Sequence, residues 1–191
     1  MSTFSAALAA MVKRAVAIGL GLSLLVACGG AGPYGHAVNY VPLGDEEKAA
    51  KGAMDYDPVM AQRQPEQWRG KPVALFGIVT ARGSMGGGAY LTLSVRRLEP
   101  RNLCESHADD ATCRVTVSDA DFGVVHANVA LHGEDDVGEH SVGGGSLVRV
   151  IGTFGEDTDP NDGAPILRVT YYRHWPRYFY VTKAAASQMR Q

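Results

Sequence analysis

Three histidines and four acids crowd a single stretch of this chain: His126, His132 and His140, with Glu134, Asp135, Asp136 and Glu139. Imidazole and carboxylate together suit a divalent metal such as zinc, which could activate water for hydrolysis. On a strand, His126 and His132 would share a face, because their separation is even. The spacing His126-x5-His132-x7-His140 is no recognised zinc pattern, however, and a solvated acidic loop after an edge strand accounts for the same residues. No metal ligand is therefore assigned. A metal-dependent hydrolase built on the His126–His140 region is the alternative function.

The second candidate is the aromatic and basic run Tyr171-Tyr-Arg173-His-Trp175-Pro-Arg177-Tyr178-Phe-Tyr180. Aromatic rings interleaved with arginine stack on sugars, bases or peptide. Alternation along a strand puts Tyr171 inward with Leu167 and Val169, and Arg168, Thr170 and Tyr172 outward. Trp175-Pro176 breaks that alternation. Arg173, Trp175 and Tyr178 are thus expected to edge a ligand-binding face, with an acidic glycan or a peptide as partner.

Nucleophile motifs are missing. No Gly-x-Ser-x-Gly occurs, and Ser94, Ser118 and Ser146 sit in strand or turn contexts without a nearby His-Asp arrangement in sequence, although triads assemble from distant positions. The Gly83–Gly88 stretch lacks the Gly-Lys-Ser/Thr ending of a phosphate loop. No catalytic residue and no cofactor is assigned, and the chain is expected not to be an enzyme.

The elements that must position these residues follow from the period. Asp45-Glu-Glu-Lys starts one short helix, running to about Met54, and Asp57-Pro58 starts another, ending near Pro65. From Lys71 the apolar period becomes two. Pro72–Arg82 is apolar on both alternations, which suits a long curved strand, with Gly77 permitting a bend. Strands are expected at Tyr90–Arg97, Cys113–Ser118, Val124–Leu131, Leu147–Phe154, Pro165–Tyr172 and Tyr178–Thr182, with a frayed helix in the tail. The expected fold is mainly β: a small five- or six-stranded antiparallel barrel preceded by short helices.

Leu25-Val26-Ala27-Cys28 closes an apolar run that begins at Ala15, behind the basic pair Lys13-Arg14. A run of about 13 residues is too short to span some 30 Å of hydrocarbon. The segment resembles a bacterial lipoprotein signal peptide. The resemblance implies cleavage before Cys28, acylation of its sulfur, and attachment to a membrane through that lipid. Gly29, rather than Asp, follows the cysteine, which implies the outer membrane, facing the periplasm or the exterior. Met11 is an alternative start with a more usual Met-Val-Lys-Arg opening. The expected organisation is a signal peptide over 1–27, a lipidated cysteine and flexible tether over 28–44, a helical lead-in and barrel over 45–182, and a tail over 183–191.

Export favours disulfides, and Cys104 and Cys113 remain as an even pair around a polar loop. A disulfide is expected there. A zinc site would show a closer cysteine pair. Removing 1–27 takes away Lys13 and Arg14 and no acid, so the net charge moves from −2 to −4. Mild acidity argues against a nucleic-acid partner.

Two phrases resemble OB-fold envelope proteins such as the starvation-inducible outer-membrane lipoprotein family. Pro65-Glu-Gln-Trp68-Arg-Gly70-Lys71-Pro-Val73 resembles the lead into their first strand, and Gly145-Ser-Leu-Val148-Arg-Val150-Ile-Gly152 resembles their fourth. The resemblance implies an OB-like barrel. The function expected is a lipid-anchored, non-enzymatic binding or structural module of the cell envelope. Its expected partners are the membrane, through the N-terminal lipid, and an envelope glycan or protein. The lipoprotein reading predicts that Cys28→Ser leaves the chain uncleaved or soluble. Normal processing and membrane fractionation of that variant would refute it.

Overall fold

The computed structural model describes Tyr34, residues 37–85 and residues 87–190. The expected signal segment 1–27 and Cys28 lie outside the described residues. Two helices lead in: α1 (Gly44–Ala50) and α2 (Pro58–Arg63). Asp57 caps α2 as its spacing predicts, accepting the N–H groups of Val59 and Met60 at 2.9 and 3.1 Å. Helix α1 begins one residue before the predicted Asp45 cap. Leu43 holds the N-cap because Glu46, three residues on, accepts its N–H at 3.0 Å.

The strands are β1 (Met54–Asp55), β2 (Pro72–Met85), β3 (Gly88–Arg96), β4 (Leu103–Cys104), β5 (Cys113–Val117), β6 (Val124–Val129), β7 (Leu147–Thr158), β8 (Pro165–Trp175) and β9 (Tyr180–Thr182). Strand β2 pairs with β7 over Pro72–Ile78 and with β3 over Phe76–Met85, so it turns a corner and belongs to both edges. The order β2-β3-β6-β8-β7 thereby closes on itself. This is the five-stranded Greek-key barrel of the OB fold. Gly77 sits at the corner: a Cβ there would lie 2.9 Å from that of Leu93, which takes up the space instead.

The mainly β, OB-like expectation holds, with one correction. The sheet is mixed rather than strictly antiparallel, because β6 and β8 pair in parallel, as do β1 and β2. Parallel neighbours need a crossover, and β7 supplies it between β6 and β8. The interior is filled by alternate residues of each strand, among them Val73, Leu75, Leu91, Leu93, Val125, Ala127, Val148, Val150 and Leu167.

A bulge in β8 overturns the predicted facing of the tyrosines. Gly152 pairs with Val169 and Ile151 with Tyr171, so Thr170 is an extra residue on β8. Beyond it every side chain changes face: Tyr172, not Tyr171, packs against the barrel core, and Trp175 joins a second cluster. Gly152 is the reason. A Cβ at that position would come within 2.1 Å of the Arg168 carbonyl oxygen, so only glycine permits this approach.

The second cluster lies outside the barrel and joins Phe76, Leu147 and Trp175 to Val115 and Val117. Strand β5 is therefore not a barrel strand, as the sequence had predicted, but the centre of a separate sheet, β4-β5-β9. The expected disulfide joins Cys104 of β4 to Cys113 of β5. The expected tether is also corrected at its described end. Tyr34 and Tyr40 pack on the second cluster, and Asn102 binds the carbonyls of Ala37 and Val38 at 2.7 Å each.

An ion cluster fastens this lead-in to the barrel. Glu46 is fully buried and bridges Arg149 of β7 and Arg173 of β8, the latter at 2.9 Å. Tyr40 also donates to it. Burial pushes the Glu46 carboxyl up, but the hydrogen bonds from Tyr40, the Leu43 N–H and Arg173, with the charge of Arg149, outweigh this and hold it below its ordinary 4.5. A depressed carboxylate contributes stability that is present above 4.5 and lost as pH falls through the folded value. Glu46→Ala should cost about 3–5 kcal/mol at neutral pH, since it leaves one buried and one half-buried guanidinium without that countercharge. The acid limb of stability against pH should flatten in the variant. Urea unfolding between pH 3 and 7 measures both, and an unchanged acid limb would refute the assignment.

Candidate functional site

The elements outside the barrel cover one side of it, where Phe76, Leu147 and Trp175 point. The outer surface of β3 and β6 carries a different set. Tyr90, Thr92 and Ser94 alternate outward on β3 opposite Asn128, His126 and Val124 of β6. The loop after β7 folds onto this surface. Asp162 meets His126 Nε2 at 2.9 Å, Asp159 stands 3.9 Å from the same nitrogen, and Tyr90 donates to Asp159 at 2.7 Å. The rings of Tyr90 and His126 stack with centroids 5.1 Å apart.

Each group is oriented from behind. Thr92 Oγ1 is 3.3 Å from His126 Nδ1, and the Asn161 backbone and side chain both donate to Asp159. The N–H of Asn161, then the Tyr90 hydroxyl, hold the Asp159 carboxyl below its usual range. The N–H of Ala164, then His126, do the same for Asp162. Burial, then the bond to Asp159, pushes the Tyr90 hydroxyl up to about 12.

One ligand atom from each of His126, Asp159 and Asp162 lies within 4.8 Å of the others. A tetrahedral ion with bonds of about 2.0–2.2 Å needs ligand separations near 3.3–3.6 Å. The two separations from His126 bracket that span, so an imidazole and two carboxylates fit a zinc-like ion after small side-chain shifts. The groups behind them serve to orient such ligands.

The histidine cluster expected from sequence does not form. His126 is buried on the barrel wall, whereas His132 and His140 are exposed on the following loop, His140 edge-on to Phe179. Asp135 and Asp136 turn to other partners: Asp135 to His174 at 2.7 Å, Asp136 to Arg82. Sequence reading missed Asp159, Asp162 and Tyr90. Asp159-Pro-Asn-Asp162-Gly163 is a turn-forming stretch, and its two acids are the signal in the sequence that points to this site.

The aromatic face is corrected as well. Trp175 is fully buried, with its Nε1 donating to the Tyr34 carbonyl at 2.7 Å, and Arg173 is held by Glu46. The bulge at Thr170 turns both toward the covered side. Only Tyr178 is open, at 79% exposure.

No family model matches the chain, and no curated protein matches it. Among solved structures it is similar to a putative aspartyl-tRNA synthetase from Leishmania major Friedlin, at 18% identity and TM-score 0.37. That likeness covers 66% of this chain and 21% of the synthetase, so the chain spans only a small part of that protein's length. It is similar also to a small single-stranded DNA-binding protein from Streptomyces coelicolor, at 18% identity and TM-score 0.28, covering 55% of this chain and 93% of the other.

The expected partners are corrected here. The exclusion of nucleic acid is withdrawn, because the ground it stood on does not hold locally. That exclusion rested on net charge, which averages over the chain, whereas Arg96, Arg97 and Arg149 line one groove with Tyr40 and Phe76, against Asp55 and Asp57. The glycan or peptide reading rested on Arg173 and Trp175, which are covered. The membrane contact rested on Cys28, outside the described residues. Because Trp175 packs, Trp175→Ala should destabilise the domain by about 3–5 kcal/mol in urea unfolding. Near-wild-type stability would restore it as a surface residue.

Proposed function

We propose that the chain is a lipid-anchored protein of the cell envelope, at the outer membrane, whose barrel is a binding module rather than an enzyme at its β3–β6 face. The lipoprotein-like segment ending at Cys28 and the Cys104–Cys113 disulfide support the exported location. One observation carries the binding role. The appended elements cover the side of the barrel around Phe76 and Trp175, while His126, Asp159 and Asp162 converge on the β3–β6 side. In OB folds that surface and its flanking loops hold ligands.

The donor set favours a divalent cation as the first ligand, with carboxylates and imidazole filling part of its coordination and a second ligand's oxygen atoms the rest. Calorimetry with zinc chloride and the full chain tests this. Saturable 1:1 binding, lost in His126→Ala and in Asp162→Asn, is expected. Absence of saturable binding to the folded wild-type chain, or binding unchanged in both variants, would overturn the cation-bearing face.

A further inference from the structure

At the end of the barrel, away from the His126 group, four side chains form a hydrogen-bonded line. Tyr172 donates to Asp135 Oδ2 at 3.0 Å. Asp135 Oδ1 is 2.7 Å from His174 Nδ1, and His174 Nε2 is 3.1 Å from Ser146 Oγ. The tautomer follows from the partners. A carboxylate only accepts, so Nδ1 carries the proton and Nε2 presents its lone pair to the Ser146 hydroxyl. His174 and Ser146 are both buried, while Asp135 is partly open.

Ser146 borders a surface groove of 370 Å³, shared with Gly143, Gly144, His140, Arg177 and Tyr178. Ser146, itself only 4% exposed, lines the groove beside Gly143 and Gly144, and the Gly143 N–H donates to Ser146 Oγ at 3.1 Å. The stem of Arg177 lies over Gly145, where a Cβ would approach it to 3.3 Å. Tyr178 is the one non-glycine residue with positive φ, 78°, among the described residues. Held backbone strain beside a groove is common where ligands are gripped.

We propose that Ser146 is a nucleophile, that Asp135, His174 and Ser146 act as an acyl-transfer triad opening on this groove, and that its substrates are small carboxylic esters. Ser146 Oγ bonds to the ester carbonyl carbon as its proton passes to His174 Nε2. The bond to the alcohol oxygen breaks as Nε2 returns that proton to it. Water, giving a proton to Nε2, then cleaves the acyl-serine; the proton goes back to Oγ and the carboxylic acid leaves. Arg177 supplies positive charge at the groove in which the carbonyl oxygen becomes anionic. Asp135 orients His174 and is a positioning residue. Burial lowers the His174 pKa against the opposing bond to Asp135, with His140 lowering it further, so the ring is neutral and able to accept at pH 7.

A fluorophosphonate probe tests this on the full-length folded chain. The Oγ–P bond forms as fluoride leaves, and peptide mass mapping locates the adduct. One adduct on Ser146 is expected, absent from Ser146→Ala and formed at least about 100-fold more slowly in Asp135→Asn, whose amide can still contact the ring. A clasp that merely holds the 132–146 loop would produce no such adduct. Failure of the folded wild-type chain to label at Ser146, or equal labelling of Asp135→Asn, would overturn the triad. Zinc binding at His126 is unaffected by either outcome.

Discussion

A single close approach governs the second half of the antiparallel pair β7–β8. Gly152 lets the Arg168 carbonyl reach a point that any Cβ would occupy, and Thr170 is extruded as a bulge. Side chains alternate along a strand, so one extra residue exchanges the two faces of everything after it. Tyr172 and His174 then lie level with Val150 and Val148 of the interior row, while Arg173 lies level with Arg149 on the outside. Trp175 continues the outer row into the second cluster. Without that bulge, Arg173 would point into the apolar barrel and the line through Asp135, His174 and Ser146 could not assemble.

The outer row creates a need that the lead-in meets. Two guanidiniums adjacent on neighbouring strands repel each other, and although Arg149 lies over the Phe76 ring at 5.3 Å and Arg173 over Trp175 at 4.6 Å, a countercharge is needed between them. Glu46 arrives from α1 as that charge, and Tyr40 with the Leu43 N–H completes its acceptor capacity. The carboxylate that closes the first turn of α1 is thus also the carboxylate that docks α1 to the barrel. Local helix capping and tertiary docking use the same atoms, so neither can be lost alone.

Covering one side of the barrel also decides where binding can occur. The sheet β4-β5-β9, tied by Cys104–Cys113, and the segment from Tyr34 to α1 enclose the apolar residues that point away from the interior on β2, β7 and β8. Closing a loop of about ten residues by a disulfide is worth roughly 2.5–3 kcal/mol, enough to keep a small appended sheet in place. The β3–β6 surface receives instead a polar loop whose acids meet an imidazole. The two ends of the molecule's chemistry, a cation-type donor set on the wall and a serine at the rim, share no residue.

The positions of most strands along the chain, the short helices, the Asp57 cap and the Cys104–Cys113 pair were legible from sequence because each depends on nearby residues. Leu91, Leu93, Val125, Ala127 and Val129 alternate along their strands in the sequence and line the interior for the same reason. The convergence of His126 with Asp159 and Asp162, and of Ser146 with His174 and Asp135, was not legible. Asp162 lies 36 residues from His126, and Ser146 and Asp135 lie 28 and 39 residues from His174, so these partners meet only once the ring closes. The facing of Tyr171 through Trp175 was misjudged because a period of two carries no sign of a bulge, and the bulge depends on Gly152, a residue on the other strand. Local chemistry determined most of the elements and the cysteine pair; barrel closure and one glycine's missing Cβ decided which side chains met.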